Sequence, residues 1–108
     1  MACTRLPLSS LPWIQGGHPL ERKKVGGHPA ITVLEFAPGF SDPNWCLRAH
    51  VVYVLSGALT FELESGLVLL NEGECGVLDA GTAHRAQNHG AETVVAFVAS
   101  DLVATGPQ

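Results

Sequence analysis

Short runs rich in Val, Leu, Ile, Phe and Tyr recur along the chain between Gly, Pro and Asn turn signals, and helical spacing is nearly absent. Along 58–64, Leu59, Phe61 and Leu63 alternate with Thr60, Glu62 and Glu64. Successive strand side chains point to opposite faces, so this run has one buried face and one wet face. Similar runs predict strands over 20–25, 30–36, 50–55, 58–64, 67–71, 75–79, 84–88 and 93–99. Gly26-Gly27, Ser56-Gly57, Ser65-Gly66 and Glu72-Gly73 mark turns, because glycine takes the positive φ that tight hairpins demand. Eight short strands at this spacing predict an all-β sandwich or barrel.

The stretch 6–15, with Trp13 and Ile14, is interrupted by proline and reads as an extended arm. The expected organisation is therefore an N-terminal arm over 1–19, one barrel over 20–100 and a C-terminal tail over 101–108. An apolar arm of this kind packs on a neighbour, and the edge strands of a small barrel need cover, so a homodimer is expected. Gly16-Gly17-His18-Pro19 and Gly26-Gly27-His28-Pro29 form a small repeat around the first strand. With no third ligand apparent, the two histidines read as turn residues.

Composition narrows the function. The 108 residues are 46% hydrophobic and 15% charged, enough apolar material for one core. A net charge of -4, with Arg22-Lys23-Lys24 as the basic run, gives no electrostatic footprint for nucleic acid. No window approaches the ~20 apolar residues of a membrane span. The N-terminus lacks the apolar stretch of a secretory signal, and three cysteines without CxxC spacing suit a reducing cytoplasm rather than a disulfide framework.

The most specific chemical feature is Gly73, five residues, Asp79, Ala80, Gly81, Thr82, Ala83, His84, then Asn88. Two glycines bend the chain at the ends of a strand, and His84 opens the next, sharing a face with Ala86 and Asn88. Upstream, His50 begins a strand that ends at Gly57, preceded by Gly39 and by Asn44, Trp45 and Cys46. No Gly-x-Ser-x-Gly elbow and no phosphate-binding glycine loop occurs, which disfavours nucleophilic hydrolysis and phosphoryl transfer.

These two segments resemble the paired motifs of the cupin family. In the second motif Gly73, Gly81, His84 and Asn88 stand in register, with Asp79 in the proline position. In the first motif His50 stands where the family carries glutamate. Counting back three residues puts Asn44 and Cys46 in its two histidine positions; counting back four puts Pro43 and Trp45 there. The first register keeps a chemically competent residue at each place. The resemblance covers roughly 31–99 and implies a single-domain, all-β cupin barrel (a jelly roll) with a metal ion inside.

Cys46, His50 and His84 supply the three donors that a mononuclear site requires, and Asn44, Trp45, Tyr53 and Asn88 are candidate pocket residues. A thiolate donor favours Zn or Cu(I), with Zn expected if Cys46 is a ligand, while imidazole serves Zn, Cu, Fe or Ni alike and Mn is also allowed. Two functions remain open. One is a metal-dependent enzyme acting on a small molecule, of dioxygenase, isomerase or lyase type; the other is a non-catalytic module that binds or senses a small molecule or metal.

Overall fold

The computed structural model describes residues 3–101, in nine strands and one 3-10 turn at Leu8–Ser10. The strands are β1 (Ile14–Gln15), β2 (Glu21–Val25), β3 (Ile31–Phe36), β4 (His50–Ser56), β5 (Ala58–Leu63), β6 (Gly66–Asn71), β7 (Cys75–Leu78), β8 (His84–Gln87) and β9 (Val94–Ser100). They make two antiparallel sheets, β1-β2-β3-β9-β4-β7 and β6-β5-β8. The fold is all-β, as the sequence pattern predicts, and its two sheets form the barrel that the motif resemblance implies. Of the expected tail over 101–108, all but Asp101 lies outside the described residues.

Inward residues of both sheets meet in one core. Phe36 and Phe40 stack at 4.3 Å between ring centroids, among Val52, Val54, Leu59, Phe61, Leu70, Leu78, Val94, Ala96 and Val98. Alternation on β4 buries Val52 and Val54 and turns Val51, Tyr53 and Leu55 outward. His50 has the same parity as Val52, so it begins the strand facing in. Gly57 closes the β4–β5 turn at φ 82°, where a Cβ would stand 2.8 Å from the Thr93 carbonyl oxygen. Only glycine fits that turn without strain.

The arm folds onto its own chain. Ile14 and Gln15 pair with Lys23 and Arg22 of β2, while Lys24 donates to the Leu8 and Ser9 carbonyls. The Trp13 ring receives Arg22 and Lys24 at 5.2 and 4.9 Å. The repeated glycine-histidine-proline turns share one device: the Nδ1 atoms of His18 and His28 accept the N–H groups of Leu20 and Ala30, two residues on. No helix among the described residues is long and apolar enough to cross a membrane.

The loop over 40–47 positions the site. It runs beside the free edge of β8 as an irregular strand, with Asn88 N–H donating to Phe40 O, Asp42 N–H to Ala86 O and Cys46 N–H to His84 O. His84 N–H returns a bond to Cys46 O at 3.0 Å, which makes Cys46 and His84 cross-strand partners. The edge that β8 would otherwise expose is thereby satisfied.

Candidate metal centre

Cross-strand pairing brings Cys46, His50 and His84 together although 38 positions separate the first from the last. Their ligand atoms all lie within 4.8 Å of one another, and Cys46 Sγ is 3.4 Å from His50 Nε2. Tetrahedral donors at ~2.0–2.3 Å from an ion stand ~3.3–3.8 Å apart, so a small side-chain rotation closes the set. His84 is buried, whereas Cys46 and His50 are half-buried.

Each imidazole is held by its other nitrogen. His50 Nδ1 and the Ser100 hydroxyl are 2.7 Å apart, across the register in which His50 faces Ser100. His84 Nδ1 lies 2.9 Å from the Thr82 carbonyl oxygen, an acceptor only, so Nδ1 carries the proton and donates it. Nε2 of His84 then has a free lone pair. A partner on Nδ1 is the arrangement that fixes tautomer and orientation in metal-bound histidines. Burial, reinforced by His84 and Arg48, pulls the His50 pKa below its ordinary value and favours the neutral, ligating ring. The donor set thus fits a divalent transition ion.

The three side chains stand in the wall of a cavity of about 130 Å³, otherwise lined mainly by apolar residues such as Phe36, Phe61 and Val98. A vestibule of about 260 Å³ adjoins it and shares Glu21, Phe40, Asp42 and Cys46 with it. The two rings of the pair His50 and His84 meet edge to face at 5.1 Å, and Phe61 stacks similarly on His84 at 5.9 Å.

The other candidates fall elsewhere. Asn44 and Trp45 are exposed and line the vestibule, one shell out from the cavity. Tyr53 lies on the outer face of the large sheet; its odd offset from His50 puts it on the opposite side of β4. Asn88 is buried, but its Nδ2 donates to the Phe36 and Glu92 carbonyls and its Oδ1 accepts Gly90 N–H, so it ties chain segments together. Arg85 points away from His84, bonds Glu62 at 2.8 Å and stacks on Trp45 at 4.3 Å. His89 bonds Gln87 at the surface. Sequence reasoning missed Ser100 and Thr82, which orient the two rings, and Glu21. For Glu21 the sequence carried no signal, since β2 is almost wholly charged and its inward turn follows from pairing with Phe36.

A family model described as Cupin domain matches residues 32–100. No curated protein matches the chain. Among solved structures, the chain is similar to a sugar phosphate isomerase from a cupin superfamily of Silicibacter pomeroyi, with TM-score 0.72 and 18% identity over 93% of this chain and 76% of that one. KdgF from Halomonas sp. gives TM-score 0.69 and 23% identity over 88% and 92%. A protein of Thermotoga maritima described as a predicted oxalate decarboxylase gives TM-score 0.74 and 16% identity over 93% and 100%. At these identities the likeness speaks for the fold alone.

Proposed function

The chain belongs to the cupin domain family, and from that premise we propose that it binds one divalent transition-metal ion through Cys46 Sγ, His50 Nε2 and His84 Nε2 and acts with it on a small molecule. One observation carries the reading: three ligand atoms of suitable type converge within 4.8 Å in the wall of an apolar cavity. Soft sulfur beside two imidazoles makes Zn the proposed ion over Fe, Mn, Ni or Cu. Three protein donors match the ligand count of catalytic zinc sites, whose further position takes water or substrate.

When bound, the ion supplies Lewis-acid activation of a carbonyl or hydroxyl group. The remaining work belongs to the chain's own residues. Ser100 and Thr82 hold the imidazoles near one orientation, so only a small side-chain rotation is required on binding. Phe36, Phe61 and Val98 restrict water, which strengthens every polar interaction inside. With Zn the proposed reaction is of isomerase or lyase type; a dioxygenase would require a redox-active ion such as Fe in its place. A binding or sensing module is the second reading, supported by the first motif, where Asn44, Cys46 and His50 replace the family's residues. A cytoplasmic homodimer completes the proposal.

Loading with Co(II) tests the ligand set. The wild-type protein is expected to give a thiolate-to-metal absorption band that Cys46→Ser lacks. The serine variant should lose more affinity than the ~10–100-fold typical of removing an outer partner of a ligand. Its apo-protein stability should stay within ~0.5 kcal/mol of wild type. A serine variant that keeps both band and affinity would remove Cys46 from the site.

A further inference from the structure

Two carboxylates stand where the cavity meets the vestibule. Glu21 opens β2 opposite Phe36, whose ring is in the core, so its side chain is turned inward. Its Oε1 accepts the Gly17 N–H at 2.8 Å. Asp42 is held by its N–H bond to Ala86 O, and its Oδ1 accepts the Asn44 N–H at 2.9 Å. Both residues line the cavity and the vestibule, as do Phe40 and Cys46, so these four surround the junction of the two spaces. Each carboxylate keeps acceptor capacity beyond its one backbone donor.

Among the described residues no lysine or arginine pairs with either of them. Arg85 is the one lysine or arginine in either lining, and its guanidinium is committed to Glu62 at 2.8 Å and to the face of Trp45 at 4.3 Å. His18, in the vestibule, spends its Nδ1 on the Leu20 N–H and sets its ring edge-on to Phe40 at 4.9 Å. At the inner end His84, almost fully buried, directs an unpartnered Nε2 at the cavity. An anionic ligand bound for that inner end would shed water between two like charges and then meet apolar walls. A cavity of about 130 Å³ is also below the ~300 Å³ floor of ordinary ligand sites, so a larger ligand keeps part of itself between the carboxylates.

We infer that Glu21 and Asp42 form an acidic gate that admits small uncharged or cationic molecules to the site and rejects phosphorylated or polycarboxylate ones. The inference takes its ligand site from the proposed function, but the gate acts on anything that reaches Cys46, with or without metal. Cys46 therefore serves as its reporter. In a Cys3→Ser, Cys75→Ser background, metal-free protein is alkylated in parallel with iodoacetamide and iodoacetate, reagents of similar size that differ in charge.

Both reagents attack the same thiolate, so the ratio of their rates cancels its ionisation. The ratio is expected to exceed that of a free thiol by about 10-fold and to fall toward the free-thiol value in Glu21→Gln, Asp42→Asn, which preserve shape and keep one acceptor oxygen each. Near 1 M salt, where the screening length is ~3 Å, the unaltered gate should lose most of its preference. A ratio equal to that of a free thiol, or one unmoved by both the substitutions and salt, overturns the gate. Failure of Co(II) to bind would instead sink the metal reading and leave this result standing.

Discussion

His50 illustrates how a single residue becomes a candidate ligand. Its place at the head of β4, in parity with Val52 and Val54, turns the ring inward, and Ser100 across the register takes up Nδ1. Residue type and spacing made Cys46, His50 and His84 readable in the sequence. Ser100 was not readable, because the partner is fixed by strand pairing across fifty positions. Tyr53 shows the converse error: an aromatic close in sequence drew a pocket assignment that strand parity argues against. Replacing Ser100 by Ala should weaken metal binding by about 10-fold, with the apo-protein melting temperature changed by only a few degrees. Isothermal titration beside thermal unfolding separates the two effects, and unchanged affinity would deny Ser100 an orienting role.

At the scale of elements, the eight longer strands were legible to within a residue or so because short runs lie between turn residues, with clear alternation over Ala58–Leu63. The two-residue β1 and the irregular strand over 40–47 carry no such pattern. Their positions follow from hydrogen bonds to β2 and β8. Asn88 occupies the junction where that loop, β3 and the turn before β9 meet, and it satisfies three backbone groups there. Asn88→Ala leaves two carbonyls and an N–H short of partners in a largely buried setting, at a cost of about 2–4 kcal/mol. Thermal unfolding should register this as a loss of about 10 °C or more. A shift of under ~2 °C would mean that the junction holds without the side-chain bonds.

The large sheet presents a broad apolar face. Val51, Tyr53 and Leu55 of β4 and Val77 of β7 are exposed together on the outer side of the large sheet, away from the region where the arm packs. The sequence suggested a dimer through the arm; with Ile14 and Gln15 paired to β2 of the same chain, the sheet face is the better surface for the proposed homodimer. Light scattering at micromolar concentration should give a dimer mass that Tyr53→Glu reduces to a monomer. A wild-type monomer would reject the dimer. The central claim is that the barrel exists to present a metal, and elemental analysis of the purified protein tests it most directly. Protein expressed with Zn, Fe, Mn, Ni and Cu available should carry close to one equivalent of one of them, and His84→Ala should carry almost none while keeping the wild-type β-sheet circular dichroism. Wild-type protein holding well under one equivalent of every ion would contradict the account.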